Sequence, residues 1–332
     1  MTYPAVYTAT YPGAALAAAI GVLGGRAVSL TNYRPGAGNT GVSGTYSGLT
    51  PSGNLTVTTN GATISGLDIA GSLTIAADNV TVQNCRIRAV QDSATTYTVT
   101  WGNVSGRPPT GLTVIDSELD GNGRNGGDTG PYPSGWAQSA AVQPGIGYTL
   151  RRCDIHGQTD GLKPQDNPTG SSIVIDACWV HDLTTYYSAA GNITHNDVLQ
   201  IAGTGAHDVT IRRCHLNGYR AGDGNIESRY ASSSLMQWGS FPGAAGVLTN
   251  ILIEGNWIDG GGYASRLDFD TAATVTNLVI RNNRHGLRHR FGVYRQNGLN
   301  AVNGGSATLS GNVWDVAGTT DSGLTVTAGQ SV

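Results

Sequence analysis

The chain has 332 residues and a formal net charge of −3, with charged residues at 12% (about half the usual share) and 49 glycines (about twice the usual count). A helical bundle needs charged solvent faces, so that class is excluded. With no basic stripe, nucleic-acid binding and attachment to anionic lipid are excluded as well.

Residues 12–25, PGAALAAAIGVLGG, are apolar but too short to span a bilayer, so no membrane insertion is expected. The first basic residue, Arg26, follows this stretch instead of preceding it, which argues against a signal peptide. The stretch reads as a short Ala-rich helix in an N-terminal attachment or capping segment, residues 1–35.

Beyond it helical periodicity almost vanishes and one pattern recurs: apolar, any, apolar, any, any, Cys/Asn/Ser, any, apolar. It fits VTVQNCRI (80–87), LTVIDSEL (112–119), YTLRRCDI (148–155), IVIDACWV (173–180), VTIRRCHL (209–216), ILIEGNWI (251–258), LVIRNNRH (278–285) and ATLSGNVW (307–314), with a looser copy, ATISGLDI, at 62–69. Successive units start 18 to 42 residues apart, so this is an irregular repeat with insertions. Alternating units closed by Gly, Asn or Asp are strands, and strands recurring at such periods stack into a solenoid. The expected fold is all-β: a right-handed parallel β-helix of about nine coils over residues 36–315, followed by a C-terminal tail, 316–332.

In a stacked coil the same position of each unit forms a column. Cys85, Cys153, Cys178 and Cys214 all occupy the sixth position, and Asn256, Asn283 and Asn312 continue it. There is no CxxC pair, so the cysteines read as a reduced, buried stack passing into an asparagine ladder rather than as disulfides or a metal site.

A further strand follows the turn in TDGLKPQ (159–165), NDVLQIA (196–202), GNIESR (224–229), SRLDFD (265–270) and GVYRQN (292–297). Setting Leu162, Leu199, Ile226, Leu267 and Val293 inward places Lys163, Gln200, Glu227, Asp268 and Tyr294 in one outward column. Two residues further on, Arg229 and Asp270 join them. Adjacent coils hold outward Cβ atoms about 5 Å apart and alternate coils about 10 Å apart, separations that bracket those used by retaining and inverting glycosidases. Glu227 and Asp268, with Asp270, are therefore candidates for an acid/base pair, with Arg229 and Lys163 orienting an acidic or hydroxyl-rich substrate. The same column also reads as a solvated or sugar-binding face. Asp160 and Asp197 begin this strand in neighbouring coils. They read either as turn residues or, with His195, as a His–Asp grouping flanking the groove.

Asp120, His156, His181, Asn217 and Asp259 form a separate outward row. Two adjacent histidines could hold a metal, but no third ligand stands at fixed spacing, so neither a metal nor a cofactor is assigned. Long insertions at 121–147, 183–195 and 219–248 read as projecting loops. The last carries Trp238 among several aromatics suited to stacking on sugars.

GAGNTGV (36–42), LTIAADNVTVQNCRIR (73–88), LTVIDSELDG (112–121), HNDVLQI (195–201) and ILIEGNWIDGGGY (251–263) resemble the right-handed, pectin-lyase-like β-helix proteins of actinobacteria and their phages, in which such chains are minor tail or tail-tip proteins. Of 19 basic residues only Lys163 is a lysine, a codon bias that fits a GC-rich bacterial or phage genome. The resemblance implies a virion protein, a homotrimer among other phage tail proteins, that recognises and in some cases cleaves a host cell-envelope polysaccharide. Two further readings remain open: a free-standing extracellular polysaccharide hydrolase or lyase, and a purely structural tail component. The catalytic motifs of polygalacturonases and pectate lyases do not transfer residue by residue. Asn196-Asp197 matches only part of one motif.

Overall fold

The computed structural model describes residues 34–89, 97–121, 140–184, 196–201, 205–218, 233–238, 247–268, 274–286, 292–297 and 307–315. The Ala-rich stretch 12–25 and the tail 316–332 lie outside them.

Each repeat unit supplies two strands, where the alternation alone suggests one. The first half of every unit enters a nine-stranded parallel sheet, from Thr63–Ser65 to Ala307–Ser310. The second half enters a ten-stranded parallel sheet that begins at Thr50–Ser52 and ends at Val313–Trp314. The bend falls at the fifth position, where Gly66, Asn84, Asp116, Arg152, Ala177, Arg213, Gly255, Asn282 and Gly311 all adopt left-handed backbone, with φ from 47 to 70°. Glycine and asparagine reach that region cheaply, and here they or aspartate fill six of the nine corners. The two strand halves therefore face different directions, and the protein is a parallel β-helix.

The third wall is a three-stranded sheet of Leu55–Val57, Leu73–Ile75 and Val99–Trp101. The bridge Val99–Val142, the hydrogen bond from Ala141 N to Gly161 O and the bridge Leu162–Leu199 carry it on. It then becomes a four-stranded sheet of Gln200–Ile201, Ser233–Trp238, Tyr263–Asp268 and Gly292–Asn297. Two stretches read as projecting loops thus contribute to the wall. Residues 140–142 are fully buried in it, and Ser233–Trp238 is one of its strands.

Columns of Ile, Leu and Val, such as Val82, Val114, Leu150, Ile175, Ile211, Ile253 and Ile280, fill the interior with essentially no exposure. Each such side chain stabilises the fold by roughly 1.5–3 kcal/mol on burial. The sixth-position column runs beside them as expected. Cys85, Cys153, Cys178 and Cys214 are free and fully buried, and burial pushes the thiols of Cys85, Cys153 and Cys178 up. All four should titrate as free thiols only after denaturation, checked with a thiol reagent in native and denatured buffer. Cys178→Ser should cost about 1–3 kcal/mol by burying a poorly satisfied hydroxyl.

The second arginine of each RRC ties one coil to the one before it. Arg152 forks back one coil onto Asp116, with both contacts at 2.6 Å, and Arg213 forks back onto Asp176 at 2.8 and 2.5 Å. Bidentate pairs of this kind fix the corner of one coil on the next.

Residues 34–49 lie along the ten-stranded sheet as a strap. Arg34 Nη2 donates to His215 Nε2 at 2.7 Å, Gly41 N donates to Arg152 O at 2.9 Å, and Tyr46 covers the Arg86 guanidinium at 4.2 Å. Gly41 is required where it stands: φ is +75°, and a Cβ there would come 2.9 Å from the Cβ of Asp154.

Candidate functional site

Asp160, Lys163, Asp197 and Gln200 form one cluster at the start of the third wall. Gly161 N bonds Asp197 O and Leu162 N bonds Val198 O, which sets the two segments side by side. Gly161 permits this approach, since a Cβ would lie 2.3 Å from the Val198 carbonyl oxygen. Lys163 Nζ meets Asp160 Oδ2 at 2.9 Å, Asp160 Oδ1 accepts the Asp197 N–H at 2.8 Å, and Gln200 Nε2 donates to Asp197 Oδ2 at 3.3 Å. All four residues are buried. The expected outward, solvated Lys163–Gln200 column is in this respect corrected: both side chains are enclosed.

The column does not continue as the alternation suggests. Gln200 pairs with Met236, then Arg266 and then Arg295, so Ser233–Trp238 occupies the row in which Glu227 was expected. Asp268 lies two residues further along, in register with Trp238 on one side and Asn297 on the other. Tyr294 is in register with Ser265, not with Asp268. A slip of two residues keeps every side chain on its face, so period-2 alternation cannot detect it; the slip of three at Tyr294 changes its parity. Glu227, Arg229, Asp270 and His195 lie outside the described residues.

The ten-stranded sheet carries the second polar concentration. The expected row is found, with Asp120, His156 and His181 in direct register and Asn217 paired with Asp259. Beside it on the same face stand Arg86, Glu118 and Asp154, likewise in register. Glu118 Oε1 accepts from Arg86 Nε at 3.2 Å and lies 3.1 Å from His156 Nε2. Arg86 Nη2 also reaches Asp120 Oδ2 at 3.6 Å, and His156 Nδ1 lies 3.8 Å from Asp120 Oδ1. Glu118, Asp120 and His156 each offer a ligand atom within 4.8 Å of the others, and among the described residues they are the group that could hold a metal. The sequence reading missed Glu118 because it tracked one outward row, whereas residues i and i+2 of a strand share a face.

His181 is held between Asp154 Oδ1 at 2.7 Å and Asp182 Oδ2 at 2.6 Å, and it stacks on Trp179 with ring centroids 3.4 Å apart. Burial opposes its charged form, but the two carboxylates outweigh burial and raise its pKa. Burial likewise opposes the charge on Glu118, yet the hydrogen bond with His156 and the charges of His156 and Arg86 lower its pKa. The signs give the pH profile. Stabilisation through His181 is complete below the ordinary imidazole value and is lost as pH rises through the raised one. Stabilisation through Glu118 is complete above the ordinary carboxylate value and is lost as pH falls through the depressed one. Thermal stability should therefore plateau between about pH 4.5 and 6.5 and decline on both sides. His181→Gln should flatten the alkaline decline in a series of melting curves; an unchanged decline would remove His181 from the account.

No protein-family model, no curated protein and no solved structure matches the chain. The carboxyls of Asp78, Glu118 and Asp208 have their pKa displaced downward, toward a permanent charge. Among the described residues no helix is long and apolar enough to cross a membrane.

Proposed function

We propose that this β-helix is a phage tail component that recognises a host cell-envelope polysaccharide on its third wall. The observation that carries this reading is the direct register of Trp238 with Asp268 on paired strands, beyond the enclosed Asp160–Lys163–Asp197–Gln200 cluster. An aromatic residue and a carboxylate one coil apart, about 5 Å, match the size of a sugar ring, one suited to its C–H face and the other to its hydroxyls. Buried ion pairs add little net stability compared with apolar packing, so a lysine and two aspartates enclosed beside such a row favour a recognition role over a purely architectural one.

Cleavage of the bound glycan is the second reading. It rests on Glu227, Asp268 and Asp270 as candidate acid/base groups.

The test is retention of the protein on immobilised cell-envelope polysaccharides from actinobacteria, with product release followed over pH 4–8. Wild type should bind without releasing sugars, and Trp238→Ala and Asp268→Asn should each weaken binding at least about tenfold, the loss of one stacking or charged contact. Release of reducing ends or unsaturated sugars, abolished by Glu227→Gln, would replace recognition with hydrolysis or lysis. Binding to none of the polysaccharides would leave the structural-component reading. Gold-labelled electron microscopy of virions tests the tail location separately.

A further inference from the structure

We infer that Glu118, Asp120 and His156 form a binding site for one divalent transition-metal ion of the zinc class, set between the neighbouring strands Glu118–Asp120 and Asp154–His156. Three features carry the inference. The strand pairing places Asp120 directly beside His156, and Glu118 shares the face of Asp120, so all three point to one spot without any loop having to be ordered. Their ligand atoms already lie within 4.8 Å of one another, and drawing them to the edge of a tetrahedral site needs side-chain movements of about 1 Å.

The third feature is independent of the clustering. Glu118 is only 2% exposed, and its Oε2 atom is buried with no hydrogen-bond partner. A carboxylate oxygen withdrawn from both water and donors is costly, and a cation removes that cost.

Arg86 is the obvious competitor, since it already faces both carboxylates. Its contacts use Glu118 Oε1 and Asp120 Oδ2. Glu118 Oε2 takes no part in them, and His156 Nδ1 faces Asp120 through Oδ1, not through the oxygen that meets Arg86. Arg86 can therefore stay in place as an outer partner that orients both ligands. One imidazole with two carboxylates suits zinc, cobalt or manganese, whereas calcium seeks six to eight oxygens. The ion would tie two coils together beneath Tyr46 of the strap. The inference does not rest on glycan recognition, and its failure would leave that reading untouched.

The experiment uses the full chain, stripped with a chelator and dialysed. It is titrated with Zn²⁺ by calorimetry and with Co²⁺ by visible absorption. One ion per chain should bind, and cobalt should show d–d bands without the sulfur-to-metal charge-transfer band that Cys85, Cys153, Cys178 or Cys214 would produce. His156→Gln and the isosteric Asp120→Asn should each weaken binding at least about tenfold, while His207→Gln, at a separate His–Asp pair, should not. Native protection of the four thiols confirms that each variant is folded, and Asp120→Asn decides the matter if His156→Gln is not. Absence of binding by Zn²⁺, Co²⁺ and Mn²⁺, a thiolate band, or affinity unchanged in the folded variants would overturn the assignment.

Discussion

Replacing Lys163 by Met is expected to destabilise the protein by about 3–5 kcal/mol, the usual cost of removing one partner from a buried charge pair. Lys163 Nζ and Asp160 Oδ2 are 2.9 Å apart, with side chains 7% and 2% exposed, so solvent screening removes little of the effect. Asp160 cannot turn to water once its partner is gone, because its other oxygen is committed to the Asp197 backbone. The double variant Lys163→Met/Asp160→Asn should recover part of the loss, because Asp160 then carries no charge and Asp197 alone stays ionised in the cluster. Chemical denaturation of the two single variants and the double variant forms the cycle. A coupling energy near zero would mean that the two groups act independently and that the cluster is not a unit.

Asn283→Leu should cost a similar amount, about 3–5 kcal/mol, although no charge is involved. Asn283 Oδ1 accepts from both the backbone N and the side-chain Nδ2 of Asn256, at 3.0 and 2.9 Å. Its own Nδ2 donates to Ile253 O at 3.1 Å and to Asn312 Oδ1 at 3.0 Å. Leucine would orphan two donors and a carbonyl in the fully buried column, each worth roughly 1–3 kcal/mol, offset in part by the added apolar surface. Leucine at the less connected Cys85 position should cost much less. If thermal unfolding finds the two substitutions equal, the ladder is a packing column with incidental hydrogen bonds.

The difference between these two sites mirrors how far the sequence could be read. The sixth-position column was legible because its residues repeat at a fixed offset from three apolar anchors. The row Asp120, His156, His181 was legible for the same reason, the corner before it being of constant length. The corner itself was written in Asn84, Asp116, Asn282 and four glycine or alanine positions, yet Arg152 and Arg213 obscure it, since an arginine gives no hint of left-handed backbone. The third wall was harder. The segment between His215–Gly218 and Ser233–Trp238 has no fixed length, and both GNIESR and SSLMQW alternate well enough to serve as its strand. That choice fixes the register of Asp268 and Tyr294, so an error there is passed to every later coil. Glu118 shows a different limit: its partners Arg86 and His156 come from the preceding and following coils, 32 and 38 residues away, and only stacking brings them together.

The strap changes how the whole molecule should come apart. A bare solenoid is a one-dimensional stack in which each coil touches only its neighbours, so its ends can fray while its middle stays intact. Residues 34–49 break that rule, because one short stretch touches His215 in the seventh strand of the ten-stranded sheet, Asp154 in the fifth and the corner residue Arg152 before it, and Arg86 in the third and the corner residue Asn84 before it, ahead of the chain's entry into the first. Contacts across 181 residues of sequence are thereby built into a fold otherwise made of short-range ones. The first seven coils are consequently bound into one cooperative unit, which loses its ends only by losing the strap, whereas the coils from Trp257–Gly260 onward, beyond the strap's described contacts, keep the piecewise behaviour of a repeat array.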